Sequence, residues 1–164
     1  MSGMDNKDEV LALNVITPHN KWTIHSMWSD NLLMLTLGRG GPVVWMSETD
    51  ARKINISDND WVELFNDNGA TMCRAVVSQR IPEGALILYH NQERIVNMPL
   101  SEKTGHRGGL HNSLARICPK PTHMIGGYAQ LSYSFNYYGT IGANRDEVCI
   151  IRRVPVVKWG DEEA

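Results

Sequence analysis

Asp67-Asn68-Gly69 lies between two runs of largely apolar, partly alternating residues, 61–66 and 70–79, and this arrangement narrows the possible folds more than any other feature. Side chains alternate faces along a strand, so each run can bury one face, while the glycine supplies the positive φ that a tight strand connection demands. A hairpin is therefore predicted over 61–79. Around it, residues 43–46 (VVWM) and 85–89 (ALILY) read as short strands, and 147–153 (EVCIIRR) as a last alternating one. Ser47 followed three residues later by Asp50 is a helix N-cap pattern, predicting one short helix through Lys53. Asp58-Asn59-Asp60 and residues 80–84 (RIPEG) turn the chain. Helix is otherwise scarce, and a mainly β domain is expected over 14–158, with a flexible segment over 1–13 and an acidic tail over 159–164.

A chain of 164 residues fits one domain, and 42% apolar with 21% charged residues is a globular rather than a disordered composition. The formal charge of −2 gives no reason to expect a nucleic-acid partner. Continuous apolar stretches are only about five residues long, against the roughly 20 needed to cross a bilayer, so direct membrane insertion is not expected. Residues 1–14 are polar and acid-flanked, unlike an export signal. The expected location is cytoplasmic, or membrane-associated through partner subunits. Cys73, Cys118 and Cys149 form no CxxC pair, which favours a reducing compartment.

Charge is uneven along the chain. Residues 47–67 carry six acids against Arg52 and Lys53, while 74–120 carry seven bases against Glu83, Glu93 and Glu102. The second region is the better place for an anionic ligand, and reads equally as a solvated charged face. Residues 91–144 are rich in Gly, Asn, His and Tyr, and are expected to form long ordered loops of the kind that carry function.

Six histidines invite a metal-site reading, yet His19 and His25 are six apart and no His-x-x-Glu-His or Cys/His cluster occurs, so no protein-liganded metal is expected. Nor is there a Gly-x-Ser-x-Gly nucleophile motif. Gly38-Arg39-Gly40-Gly41 matches no nucleotide-binding fingerprint and reads equally as a turn before Pro42. Three separated segments, 17–26, 89–91 and 109–113, together offer imidazoles, amides, hydroxyls, the Lys21 cation and the Trp22 ring, although Trp22 reads equally as core. Such a set suits a ligand with phosphates and a heteroaromatic ring.

Residues 17–26 (TPHNKWTIHS), 30–45 (DNLLMLTLGRGGPVVW), 75–80 (AVVSQR), 120–129 (KPTHMIGGYA) and 135–139 (FNYYG) resemble the C-terminal region of the α subunits of respiratory, membrane-associated nitrate reductases. More distantly, 47–84 is similar to the molybdopterin-dinucleotide-binding domain of the dimethyl sulfoxide reductase family. The resemblance implies a six-stranded double-psi β-barrel of the aspartate-decarboxylase-like kind, with short helices and long ordered loops. It implies a bis(molybdopterin guanine dinucleotide) molybdenum cofactor shared with the rest of the subunit, and His19, Lys21, Trp22, His25, Ser26, His90, His111 and Asn112 as its binding wall, joined by Asn136 and Asn144. No motif for a molybdenum ligand or for iron–sulfur ligands is found in the chain, so alone it is expected to lack catalysis. The implied partners are the remainder of the nitrate reductase α subunit and, through it, an iron–sulfur electron-transfer subunit and a membrane anchor. The alternatives are the same domain of a nitrite-oxidising or chlorate-type enzyme, or a non-catalytic β-barrel interaction module. The self-processing decarboxylase sharing this barrel needs a Gly-Ser cleavage point, and the chain contains no such dipeptide.

Overall fold

The computed structural model describes residues 9–90, 98–115 and 147–160. Six strands close into a double-psi β-barrel: β1 (Val10–Ile16), β2 (Val43–Ser47), β3 (Trp61–Asn66), β4 (Gly69–Ser78), β5 (Ala85–Leu88) and β6 (Glu147–Arg153). Their order around the barrel is β1-β5-β2-β4-β3-β6, with β1·β5 and β2·β4 parallel and the other pairs antiparallel. Two short helices, α1 (Leu32–Leu37) and α2 (Glu48–Lys53), occur among the described residues.

The predicted hairpin forms with Asn66 opposite Gly69, and its strands bury Val62, Leu64, Cys73 and Ala75. With Leu13, Val15, Val44, Met46, Leu86, Leu88, Cys149 and Ile151 these fill the barrel. A fully buried Val or Leu contributes about 1.5–3 kcal/mol relative to an exposed one, so closure of the barrel rests on this alternation. A smaller cluster of Met72, Met98 and Val154 packs with Trp61 and Val157 outside it.

Helix α2 starts as its sequence indicates. The Ser47 hydroxyl accepts from the Asp50 N–H at 3.0 Å, and the buried Asp50 carboxylate in turn accepts from Lys53 Nζ at 3.0 Å and the Gly84 N–H at 2.8 Å. Burial works to raise the Asp50 pKa, but the Gly84, Lys53 and Ser47 bonds outweigh it and leave the carboxyl below its ordinary value. Helix α1 is a second helix where the sequence indicates only one. Asn31 caps it, its side chain accepting from the N–H groups of Leu33 and Met34, but the helix buries no residue.

Both ends of the domain differ from expectation. The segment 1–13 was expected to be flexible, yet β1 begins at Val10 and pairs with β6 from Val10↔Arg152 onward, because Leu13 and Val15 supply apolar side chains to the core. The tail was expected to begin at Trp159, but that ring packs edge-on against Trp61 with centroids 5.7 Å apart, and the neighbouring Lys158 carbonyl accepts from the Leu100 N–H at 2.7 Å. Gly38–Gly41 is a turn: Arg39, Gly40 and Gly41 all have positive φ, and the Arg74 guanidinium donates to the Arg39 carbonyl.

Candidate functional site

Strand register brings the first two histidines together. β1 and β5 run parallel with Asn14 opposite Ala85, an offset of 71 residues, and His19 and His90 are also 71 apart. Beyond the strand ends the two segments stay side by side, the His90 N–H donating to the Pro18 carbonyl at 3.3 Å. The His19 and His90 rings are 4.1 Å apart between centroids, and Nδ1 of His19 lies 3.0 Å from Nε2 of His90.

His90 is buried, and its Nδ1 lies 3.1 Å from the carbonyl oxygen of Thr17. A carbonyl oxygen has no proton to give, so His90 Nδ1 donates. With His90 neutral, its Nε2 then accepts from the Nδ1–H of His19, and the Thr17 backbone sets the tautomers of both rings.

His25 completes a triangle. Its centroid is 5.3 Å from that of His19 and 5.0 Å from that of His90. It sits at φ 51° in a tight turn, where the Met27 N–H donates to the Ile24 carbonyl at 2.9 Å. Non-glycine residues are uncommon in this region of backbone space, histidine less so than bulky or branched ones, and such positions collect at functional sites. One nitrogen from each of His19, His25 and His90 lies within 4.8 Å of the others.

The fourth imidazole arrives from the other side of the hairpin. His111 opens the 3-10 turn His111–Leu114 and lies 5.7 Å from His90 between centroids. The hairpin tip holds this turn: the side-chain amides of Asn66 and Asn68 donate to the Leu114 carbonyl at 2.8 and 2.9 Å, and the Thr71 hydroxyl donates to the Gly109 carbonyl at 2.5 Å. Glycine is required at 109, where a Cβ would stand 2.6 Å from the Ala70 carbonyl and 2.0 Å from the Ser113 hydroxyl.

Around the imidazoles, the Asn20 side chain accepts from the Trp22 N–H at 2.8 Å, and Lys21 Nζ lies 4.6 Å from the Trp22 ring centroid. Trp22 is 38% exposed, which removes the alternative that it is core. Ser26 and Asn112 are exposed, each using its backbone carbonyl in a local turn. No acidic residue occurs in 17–29, so the donor set is suited to an anionic, hydrogen-bonding ligand. Asn136 and Asn144 lie outside the described residues, as do His123 and most of the loop region 91–144.

Next to the imidazoles along the chain, a large apolar surface is exposed. Ile24, Met27, Trp28, Leu32, Leu33 and Leu37 are all more than half exposed, Leu32 and Leu33 at 79% and 76%. Single exposed apolar residues are ordinary, whereas a run of six within fourteen residues is unusual on a protein surface and is of the kind that interaction sites present.

The three histidines meet without any metal-ligand spacing along the chain, because parallel pairing aligns segments 71 residues apart and the turn at Ile24–Met27 adds His25. No side-chain pattern announces the backbone carbonyl of Thr17, which orients His90. A fully buried carboxylate, Glu63, and a half-buried one, Glu147, are likewise marked by no sequence pattern. Glu63 accepts from Arg152 Nε at 2.8 Å, from the Lys103 N–H at 3.0 Å and from the Ser101 hydroxyl. Burial pushes Glu147 up to about 7.

The chain is 67% identical to the respiratory nitrate reductase 2 alpha chain of Escherichia coli (strain K12) over 93% of its own length and 12% of that protein. It is 54% identical to the nitrate reductase alpha chain of Bacillus subtilis (strain 168), covering 94% of the chain and 13% of that relative. The perchlorate reductase alpha subunit of Dechloromonas aromatica (strain RCB) is 39% identical over 79% of the chain and 13% of its own length. The chain thus spans about an eighth of these relatives. Among solved structures, acetylene hydratase from Pelobacter acetylenicus superposes with a TM-score of 0.57 at 13% identity, over 87% of this chain and 18% of that one, a likeness of fold. The family model described as the molydopterin dinucleotide binding domain matches residues 13–131, and the chain belongs to that family.

Proposed function

We propose that the imidazole cluster and its flanking loop close over a bis(molybdopterin guanine dinucleotide) molybdenum cofactor within a nitrate reductase α subunit, and that the chain is inactive alone. The observation that carries this reading is the convergence of His19, His25, His90 and His111 at one place, with Lys21 and an exposed apolar run next to them in the sequence. The donor chemistry fits the group: imidazole and amide N–H groups suit pterin heteroatoms, and an ammonium suits a pyrophosphate oxygen. His19, His25, His111 and Asn112 would hold the pterin, with Ser26 and Lys21 toward the phosphates and Trp22 as a flat wall. His90, buried behind His19, orients that ring. When bound, the cofactor supplies the two-electron chemistry that converts nitrate to nitrite.

The exposed apolar run is the surface that the remainder of the α subunit covers, as expected for a chain matching an eighth of its relatives. Through that subunit the domain joins an iron–sulfur electron-transfer subunit and a membrane anchor. No helix among the described residues is long and apolar enough to cross a membrane. The similarity to a perchlorate reductase subunit favours a second reading, the same domain in a chlorate-type enzyme. Comparing kcat/KM for nitrate, chlorate and perchlorate on the assembled holoenzyme separates the two.

Because His19 and His25 are exposed, their joint replacement by alanine should cost the barrel little beyond the His19–His90 hydrogen bond, about 1 kcal/mol net, and lower its melting temperature by only a few degrees. The same pair of substitutions in the full-length subunit should sharply lower the molybdenum and pterin content of the purified protein. Unchanged cofactor content would contradict the proposal, and a large loss of barrel stability would assign the two rings a structural role.

A further inference from the structure

The geometry points to a second ligand for the same imidazoles: we infer that His19, His25 and His90 bind one divalent transition-metal ion of the zinc class when no pterin covers them. Three observations converge. First, ring nitrogens of all three side chains already lie within 4.8 Å of one another. Second, His90 Nδ1 donates to a backbone carbonyl, the outer-shell bond that leaves the opposite nitrogen, Nε2, as the coordinating atom and fixes the plane of the ring. Third, His90 Nε2 and His19 Nδ1 are 3.0 Å apart. Two imidazole nitrogens on a tetrahedral zinc ion, each about 2.0–2.1 Å from the metal, stand about 3.3 Å apart. The present spacing needs to open by only a few tenths of an ångström.

The proton now shared between these two nitrogens must leave that position. His19 remains neutral if its proton moves from Nδ1 to Nε2, so both lone pairs can point at the ion without a net change in ring charge. His25 moves furthest, and it is an exposed side chain on a turn, free to rotate inward. Three neutral nitrogen donors select zinc, cobalt, nickel or copper over magnesium or calcium, which prefer oxygen. The fourth position is left to water. The ion needs the lone pairs of three side chains, whereas the cofactor reading rests on a wider surface that includes Lys21, His111 and Asn112, so the two can fail separately.

Titration of the chelator-treated chain with cobalt(II), followed by visible absorption and then by displacement with zinc(II), tests the inference. One equivalent should bind with the ligand-field spectrum of a four-coordinate site. Loss of an outer-shell partner alone weakens metal sites by about 10–100-fold, so His25→Ala and His19→Ala should each weaken cobalt binding by at least about tenfold. His106→Ala, an exposed histidine outside the cluster, should leave it unchanged. His25→Ala decides the matter, because its turn is exposed and metal-free melting curves will show whether the variant is folded. Absence of saturable binding, or equal affinity in the wild type and both cluster variants, would overturn the inference.

Discussion

Glu63 is fully buried in the barrel wall, and its stability depends on every lone pair being used. Arg152, Ser101 and the Lys103 N–H all donate to it, and Arg152 reaches outward to Glu102 at 3.2 Å. Removing one partner of a buried ion pair costs about 3–5 kcal/mol, because the other charge stays behind. Glu63→Gln is therefore expected to destabilise the chain by about 3 kcal/mol, read from urea unfolding midpoints, and a change below about 1 kcal/mol would show the pair to be dispensable. Glu147 behaves in the opposite sense. Its Oε1 is buried with no hydrogen-bond partner among the described residues, and burial raises its pKa from the ordinary 4.5 to about 7. Between those values the unfolded chain ionises Glu147 and the folded chain does not, so its contribution to stability falls as pH rises from about 4.5 to about 7. Glu147→Gln should accordingly melt higher than the wild type at pH 8, with the gap closing toward pH 4; a gap independent of pH would contradict this origin.

The sharpest test at the level of an element is the 3-10 turn His111–Leu114, which the hairpin tip carries. Gly109→Ala places a methyl group against the Ala70 carbonyl and the Ser113 side chain, and overpacking of this kind costs about 1–3 kcal/mol. The expected result is a lower melting temperature together with displaced ring resonances of His111 and His90 in nuclear magnetic resonance spectra. A loss of stability with both rings undisturbed would mean that the turn does not position His111. The strands of this neighbourhood were legible because alternation and the Asp67-Asn68-Gly69 tip are local signals, and the limits of β3 and β6 match the sequence reading residue for residue. β1 is absent from the sequence reading: VLALNVI is apolar on both faces, so it shows no clean alternation beside a charged N-terminus, and its place comes from β5 and β6, partners far away in sequence. Helix α1 was hidden for another reason: LLMLTL carries no apolar and polar faces, and none of its residues is buried. The site followed the same division. The residue types were visible in three segments, but the triangle of His19, His25 and His90 is made by a parallel register that no local pattern encodes.

Taken whole, the molecule is a barrel with one end dressed in imidazoles and amides, next in sequence to an apolar run from Ile24 to Leu37. A self-sufficient domain would hide such a run, and a domain that seats on a much larger body leaves it open for that body to cover. Charge at this end also favours an anion, since 17–29 holds Lys21 and no acid. The most direct measurement is a structure of the full-length subunit with its cofactor bound, in which the distances from the ring nitrogens of His19, His25 and His111 to the nearest pterin or phosphate atoms are read. Hydrogen-bond distances, about 2.7–3.2 Å, are expected for at least two of the three, with residues 24–37 covered by the rest of the subunit. A cofactor lying against another face of the barrel, with these imidazoles in contact with solvent, would contradict the proposed function.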